Sequence, residues 1–201
     1  MPKVSQQHTA ARRQQIIDAA YRCFARKGFH QTTMRDIYEE ASLSPGAVYH
    51  YFEGKHEIIA ASFDFDYQRS VDLFDAAVAS DDPLQSLVDL LSFLFNGLKS
   101  AAELSAGRVN VQGWAEALVN PPLLDAIRQV LETYRATTAQ IIRQAQAKGQ
   151  IEEKLDARAV SNTLISLYYG LELQLALDPQ LDVDAYADAV RALLKPAGQP
   201  S

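Results

Sequence analysis

The chain has 201 residues, 48% of them hydrophobic, which is enough for one large domain or two modest ones around an ordinary buried core. It holds a single cysteine, so an internal disulfide framework is excluded, and no apolar run reaches the roughly 20 residues that a membrane-spanning helix needs. The N-terminal residues lack the apolar stretch of a signal peptide, so we expect a cytoplasmic protein without a membrane partner.

Charge is distributed unevenly along the chain, although the formal net charge is -6. Residues 1–60 hold eight Lys and Arg against six acidic residues, whereas residues 61–201 hold 11 against 19. All four histidines also lie within residues 1–60. A basic first part and an acidic remainder are expected when only one end of a protein meets a polyanion such as DNA.

Helix signals recur along the whole chain and strand signals do not, so we predict an all-α fold of about nine helices. The first predicted helix covers residues 9–27, with Ile16 and Ile17 on its apolar face, and it ends at Gly28. Cys23 lies within this helix and is interpreted as a small buried apolar group rather than a reactive thiol.

The next two predicted helices are short and closely spaced. The first of them begins after Thr33, which has capping-box spacing to Asp36, and ends near Ala41. The second has Ser44 as a candidate N-cap and Pro45 as its first helical residue, where the missing N–H costs nothing. Two short helices joined by a three-residue turn predict a helix-turn-helix.

The second helix of this motif combines a slim N-terminal end with an apolar pair. Gly46 and Ala47 leave that end without bulk, so it can approach base edges or phosphates closely, and its free N–H groups favour phosphate. Val48 and Phe52 lie four residues apart on one helix face, and we predict that both belong to the core.

Four residues near the end of this helix are predicted to face outward: Tyr49, His50 and Tyr51, and then Lys55 just beyond the helix. Tyr49 and Tyr51 can donate hydroxyl hydrogen bonds to phosphate, His50 can reach a phosphate or a base, and Lys55 adds a charge for the DNA backbone. The alternative is that one tyrosine packs beneath the first helix and that the histidine is only solvated.

Residues 32–59, TTMRDIYEEASLSPGAVYHYFEGKHEII, resemble the N-terminal domain of the tetracycline-repressor (TetR) family, and residues 12–33 resemble its first helix and Gly-Phe exit. The resemblance implies a homodimeric repressor of double-stranded DNA whose C-terminal helices hold a small-molecule pocket and a dimer face. By position it implies DNA contacts from these residues, with Arg35 as an addition: Thr33, Arg35, Ser44, Gly46, Ala47, Tyr49, His50, Tyr51 and Lys55.

Two positions depart from the family pattern. Tyr38 stands where the family usually has alanine, and Ser42 stands where it usually has the glycine of the turn. Ser42 must therefore adopt turn geometry that glycine adopts at less cost, and we expect the motif to survive with a slightly different turn.

Proline, glycine, asparagine and aspartate signals divide the rest of the chain into further helices. We predict helices at residues 55–79, 83–104, 107–118, 121–148, 156–177 and 183–194. Together with the motif this gives an N-terminal three-helix DNA-binding domain at residues 1–54 and a helical ligand-binding and dimerisation domain at residues 55–201.

Pocket residues in such a domain share no motif, so bulky apolar residues at helical spacing are the candidates, with ordinary core as the alternative. Glu172 is exceptional because it interrupts the apolar run LISLYYGLELQLAL, so it either pairs with an arginine at a dimer face or reads a ligand, such as a cationic one. We predict a small apolar or aromatic effector bound by Phe63, Tyr67, Phe93, Val111, Trp114, Tyr134, Tyr168 and Glu172.

The last two predicted helices carry leucine-rich stripes that favour packing across a two-fold axis, with two recognition helices set about one DNA turn, roughly 34 Å, or a small multiple apart. The residues of these stripes are Val160, Leu164, Leu167, Leu171, Leu173, Leu175, Leu177, Ala187, Val190 and Leu194. We expect a ligand to move the helix after Lys55, to change the spacing of the two DNA-binding heads and so to weaken the DNA complex.

Two functions of other classes stay open from the sequence. One is a ligand-binding or carrier protein whose N-terminal domain no longer binds DNA. The other is an enzyme that uses a metal held by His30, His50 and His56, although no HExxH, CxxC or paired-carboxylate pattern supports catalysis. We therefore predict no catalytic residue, no metal and no cofactor.

Overall fold

The structure, a computed structural model, describes the backbone of residues 3–194 and the side chains of residues 8–63, 71–100 and 106–194. Within residues 3–194 the chain forms α-helices and no β-strand, so the all-α prediction is confirmed. The nine helices of this range are α1 Lys3–Lys27, α2 Met34–Glu40, α3 Pro45–Tyr49, α4 Lys55–Val78, α5 Pro83–Gly97, α6 Ala101–Ala117, α7 Pro121–Ala147, α8 Ala157–Leu177 and α9 Val183–Leu194. None of the described helical segments is long and apolar enough to cross a membrane.

The chain divides into two compact units. The first unit comprises Met1–Tyr67 and Arg108–Arg128, and the second comprises Gln68–Gly107 and Gln129–Ser201. Helices α4, α6 and α7 each contribute residues to both units. The domain boundary between residues 54 and 55 stays a prediction, while the units group part of α4, α6 and α7 with the helix-turn-helix.

Two predicted helix boundaries differ from the structure: α1 begins at Lys3 and not at residue 9, and the break between α5 and α6 is displaced. The break expected between residues 104 and 107 lies instead between Gly97 and Ala101, where Leu98 N donates to Phe95 O at 3.1 Å and so tightens the last turn of α5. Gly107 lies inside α6, where an added Cβ would come within 3.1 Å of Glu172 Cγ. This glycine therefore permits a close approach and does not end a helix.

The core of the first unit is built around the helix-turn-helix. Helix α1 packs against α2, and α2 packs against α3. Phe24, Ile37, Val48 and Phe52 are fully buried there, so the predicted burial of Val48 and Phe52 is confirmed, although α3 ends at Tyr49 and Phe52 lies three residues beyond it. Burying each such side chain contributes about 1.5–3 kcal/mol, which anchors a recognition helix too short to be stable alone.

The core of the second unit is an apolar cluster in which α5 packs against α8 and α9. Leu164, Leu171 and Leu175 of α8 are buried in this cluster, together with Ala187 and Val190 of α9. The prediction that these side chains form a dimer face is therefore wrong. The apolar face of α5 covers them within one subunit, and sequence periodicity could not assign that partner.

Candidate nucleic-acid interface

The turn between α2 and α3 places the recognition helix through a left-handed residue. Ser42 has φ 55°, the conformation that glycine adopts without strain, so the prediction made for this departure is confirmed. Ser42 N donates to Glu39 O at 3.1 Å, and Leu43 N donates to Tyr38 O at 3.0 Å. These bonds close α2 and direct the chain into α3.

Both helices of the motif have the predicted N-caps. The Thr33 hydroxyl accepts from Asp36 N at 3.2 Å, and Thr33 N donates to Asp36 Oδ2 at 2.9 Å, which completes a capping box. Ser44 Oγ accepts from Ala47 N at 3.2 Å, with Pro45 as the first residue of α3. The N-terminal ends of α2 and α3 are thus fixed by their own side chains.

The outer surface of α3 and of the turn that follows it is open and aromatic. Tyr49 is 52% exposed, His50 is exposed, and Tyr51 is half-buried beside it with ring centroids 5.0 Å apart. Gly46 is exposed, and a Cβ built there would meet no atom within 4 Å. The structure therefore presents most of the predicted DNA-contacting residues of α3 on one short, accessible element.

Arg35 lies on the exposed surface of α2, where its Nε donates to Glu39 Oε1 at 2.8 Å. An exposed pair one helical turn apart contributes little to stability, so a phosphate can replace the glutamate at little cost. Thr33 is exposed at the same end of α2. Both positions stay predicted DNA contacts.

Lys55 has a different role from the one predicted. Its Nζ donates to three backbone oxygens, those of Phe29 at 2.7 Å, His30 at 3.2 Å and Thr32 at 3.1 Å. It also lies 4.6 Å from the centroid of the Phe29 ring, and burial lowers the pKa of this lysine. Because an ammonium has three N–H donors, none remains for a phosphate, and Lys55 holds the α1–α2 connection instead.

Several other basic side chains of the first unit are paired within it. Arg22 Nε and Arg26 Nη2 both donate to Glu40, at 2.7 and 2.6 Å. These hydrogen bonds, that from Arg26 more than that from Arg22, lower the pKa of the Glu40 carboxyl. Lys27 pairs with Asp36, and this hydrogen bond, ahead of those from Thr33, holds the pKa of Asp36 well below its ordinary value. The regional count of basic residues therefore overstates the charge that is free to meet DNA.

Arg13 is a residue of this region that the sequence reasoning missed. Its Nη1 donates to Tyr51 O at 3.2 Å, and its guanidinium carbon lies 4.4 Å from the centroid of the Phe52 ring. It thereby satisfies a carbonyl two residues beyond the end of α3 and lies over the core aromatic residue. No local pattern reveals a contact between residues 38 positions apart.

The predicted effector-binding residues fall in both units. In the first unit Phe63 is buried, whereas Val111 and Trp114 are half-buried on α6. An added Cβ at Gly113 would lie 2.8 Å from Ile59 Cδ1, so α6 approaches α4 closely at this point. Tyr67 belongs to the first unit but lies outside the residues whose side chains are described.

In the second unit the candidates behave differently from one another. Tyr134 and Tyr168 pack against the apolar cluster, and the Tyr134 ring lies 5.4 Å from that of Phe74. Glu172 is only 4% exposed, as expected for a carboxylate that either pairs or reads a ligand. Phe93 is 58% exposed on α5, whose buried face carries Leu87, Leu91 and Phe95 instead, and its contact with an effector stays a prediction.

Among the residues that the structure describes, no group of three His, Cys, Asp or Glu side chains is arranged to hold a metal ion. His30 and His56, which the sequence left open as ligands, instead approach one carboxylate, that of Glu116.

Comparison with known proteins identifies relatives of both parts of the chain. Residues 16–62 match the profile of bacterial regulatory proteins of the tetR family, and residues 83–197 match that of the BetI-type transcriptional repressor C-terminal domain. An HTH-type transcriptional repressor of Mycobacterium tuberculosis is 32% identical over 90% of this chain and 91% of its own. The HTH-type nicotine-responsive transcriptional repressor HdnoR of Paenarthrobacter nicotinovorans is 30% identical over 90% of this chain and 97% of its own.

A solved structure agrees with these sequence relatives. Salmonella enterica GusR superposes with a TM-score of 0.75 at 27% identity, over 92% of this chain and 93% of its own. The likeness therefore extends through the N-terminal helices and the helical C-terminal part alike.

Proposed function

The chain belongs to the tetR family of bacterial regulatory proteins, and from that premise we propose that it binds a palindromic operator as a homodimer and is released by a small apolar or aromatic effector. Like its relatives, it is a DNA-binding transcriptional regulator and not an enzyme. Its site of action is then the cytoplasm, where the DNA lies.

The observation that carries the proposal is the open surface of α3. A helix with an exposed glycine near its N-terminus, capped by Ser44 and followed by exposed Tyr49 and His50, suits close docking in a groove with hydroxyl and imidazole contacts to phosphates or bases. Thr33, Arg35, Ala47 and Tyr51 complete the proposed contact set around that surface.

Dimerisation is inferred from apolar side chains that the subunit itself leaves exposed. Leu173 and Leu177 lie on the outer face of α8, and Leu193 lies on α9. A second copy that covers the same residues would make a two-fold interface, and two-fold symmetry in the protein is matched by a pseudo-palindromic DNA site. Leu173 and Leu177 belong to the stripe that the sequence pattern favoured, whereas Leu193 was not part of that prediction.

The effector is proposed to bind in the helical C-terminal part and to shift the protein from a DNA-binding to a non-binding population. Support comes from partly buried Tyr134 and Tyr168 and from buried Glu172, whose carboxylate can match a cationic group on an otherwise apolar ligand. One relative is named as nicotine-responsive, and nicotine combines an aromatic ring with a basic amine, which supports an effector of this chemistry.

Glu172→Gln tests the cationic part of this proposal. We expect it to weaken binding of cationic aromatic amines while neutral aromatic compounds keep their affinity, and Glu152→Gln, an exposed position in the same unit, is the control. Equal retention of both ligand classes would remove the cationic part and leave an apolar effector.

Selection of bound duplexes from a random-sequence library tests the proposed function as a whole. We expect an enriched palindrome, and its affinity should fall steeply between two salt concentrations because phosphate contacts release counterions. A folded dimer that enriches no sequence at either salt concentration would contradict operator binding and would favour a ligand carrier instead.

A further inference from the structure

The second half of α6 is bound to the elements around the helix-turn-helix by three polar side chains. Tyr21 OH of α1 lies 2.8 Å from Asn110 Oδ1, and Phe29 N donates to Gln112 Oε1 at 2.7 Å. Glu116 approaches two histidines from the following turn. All of these residues belong to the first unit, although they lie far apart in the sequence.

The connection between α1 and α2 is the backbone segment that these contacts hold. It leaves α1 through Gly28, which has φ 79°, and reaches the N-cap of α2 at Thr33. Gln112 of α6 satisfies one of its N–H groups, and Lys55 of α4 satisfies three of its carbonyls. Unpaired backbone groups in such a partly buried segment are costly, so these two side chains fix where α2 begins.

Glu116 joins the same segment to α4. Its side chain is only 11% exposed, and its Oε1 lies 2.9 Å from Nε2 of His56, the second residue of α4. Its Oε2 lies 3.5 Å from Nε2 of His30 in the α1–α2 connection. A carboxylate buried to this degree requires such partners, so its removal alters both elements together.

Glu116 also supports the lysine that holds the connection. Burial lowers the pKa of Lys55, and the negative charge of Glu116 opposes that shift and so favours the charged ammonium. The Phe29 ring is close to two of these side chains: its centroid lies 5.2 Å from that of the His56 ring and 4.6 Å from Lys55 Nζ. One carboxylate on α6 therefore acts on three groups that position the start of α2.

We propose that Glu116 is a positioning residue for DNA binding, through which α6 and the helix-turn-helix are coupled by its contacts to His30 and His56. The inference rests on the proposed release by an effector, because α6 also contributes residues to the second unit, which holds the proposed effector-binding residues Tyr134, Tyr168 and Glu172. By reciprocity, a coupling that lets α6 act on DNA binding must let DNA binding act on α6.

Amide hydrogen exchange of the full chain, with and without the duplex recovered by selection, tests this coupling without the effector. In the wild type we expect the duplex to slow exchange in residues 28–33 and also in residues 108–117. Glu116→Gln keeps the size of the side chain and removes its charge. We expect it to bind the duplex about five- to tenfold more weakly and to lose the slowing in α6.

Matched variants separate coupling from simple loss of stability. Asp125→Asn removes an exposed carboxylate of the same unit and should behave as the wild type in affinity and exchange. His56→Ala removes one partner at a half-exposed position, so the chain should fold even if Glu116→Gln does not, and it should lose part of the slowing in α6.

Two outcomes would overturn the proposal. If the wild type binds the duplex and exchange in residues 108–117 does not change, α6 is not coupled to DNA binding, while the DNA-binding function itself stands. If Glu116→Gln retains both the affinity and the slowing, the coupling does not pass through this carboxylate. A wild type that binds no duplex would instead contradict the function on which the inference rests.

Discussion

Different kinds of interaction stand out within each of the two units of the molecule. In the first unit, directional polar contacts join separate elements: Lys55 binds three carbonyls, Tyr21 contacts Ser62 and Asn110, and Gln112 binds the Phe29 amide. In the second unit, side chains of α4, α5, α7, α8 and α9 form one apolar cluster, and polar contacts such as that from Gln146 Nε2 to the Leu155 carbonyl lie around it.

This difference corresponds to what each unit has to do. Hydrogen bonds impose distance and direction, so they can set a recognition helix at a defined angle for DNA. Apolar burial has no direction and tolerates exchange of one side chain for another of similar volume. A ligand-binding part built in that way can change its specificity without losing its fold, whereas the DNA-binding part cannot change its contacts as freely.

The largest effect is expected from truncation of the apolar cluster. Leu171→Ala removes a fully buried side chain of α8, and we expect the free energy of unfolding of the second unit to fall by about 2–5 kcal/mol. Leu118→Ala, at an exposed position of the first unit, is the control and should change it by less than about 0.5 kcal/mol. Urea titration followed by circular dichroism measures both, and similar midpoints would mean that burial in α8 does not stabilise this unit.

Removal of the central polar contact in the first unit should cost nearly as much. Lys55→Met keeps the apolar stem and leaves three carbonyls without their donor, so we expect a loss of about 2–4 kcal/mol. Lys99→Met breaks an exposed pair with Asp184 and should cost at most about 1 kcal/mol. Equal small effects of the two substitutions would contradict the role assigned to Lys55.

Charge placed on the exposed apolar side chains tests the inferred dimer face. The double variant with Leu173→Glu and Leu177→Glu should sediment as a monomer at micromolar concentration, because two carboxylates would be desolvated across a two-fold axis. The midpoint temperature of its thermal unfolding should be close to that of wild-type protein that has been diluted until it is monomeric. A double variant that remains dimeric would place the interface elsewhere.

The smallest effect is expected for acid stability. The pKa of Asp36 is lowered in the folded state by Lys27 and Thr33, so its contribution to stability is present above the ordinary carboxyl pKa and is lost as the pH falls toward the folded-state value. Asp36→Asn should therefore flatten the loss of stability below about pH 4. An acid titration followed by far-ultraviolet circular dichroism checks this. If the slope of stability against pH is unchanged in the variant, the pH dependence belongs to other carboxyl groups.

The sequence predicted the features that depend on neighbours in the chain. The capping box of Thr33 and Asp36, the left-handed Ser42 and the buried pair Val48 and Phe52 all follow from spacing within one or two helical turns. Such features are set by local backbone geometry, and few alternatives compete with them.

The features that the sequence did not reveal depend on residues far along the chain. The carbonyl contacts of Lys55, the bond from Arg13 to Tyr51 and the burial of Leu171 beneath α5 all need the tertiary arrangement. Gly107 shows the same limit, because a glycine that admits Glu172 has the same sequence signature as one that ends a helix. The stripe on α8 was assigned to a dimer for this reason.

The affinity of Gly46→Ala for the selected duplex tests most directly whether the N-terminal end of α3 docks against DNA. A Cβ at residue 46 meets no atom within 4 Å in the free protein, so the fold should keep or slightly gain stability, while docking should weaken by about tenfold or more. Gly97→Ala, an equally open glycine on α5, is the control and should leave the affinity unchanged. A Gly46→Ala protein that binds the duplex as tightly as the Gly97→Ala protein would contradict the account.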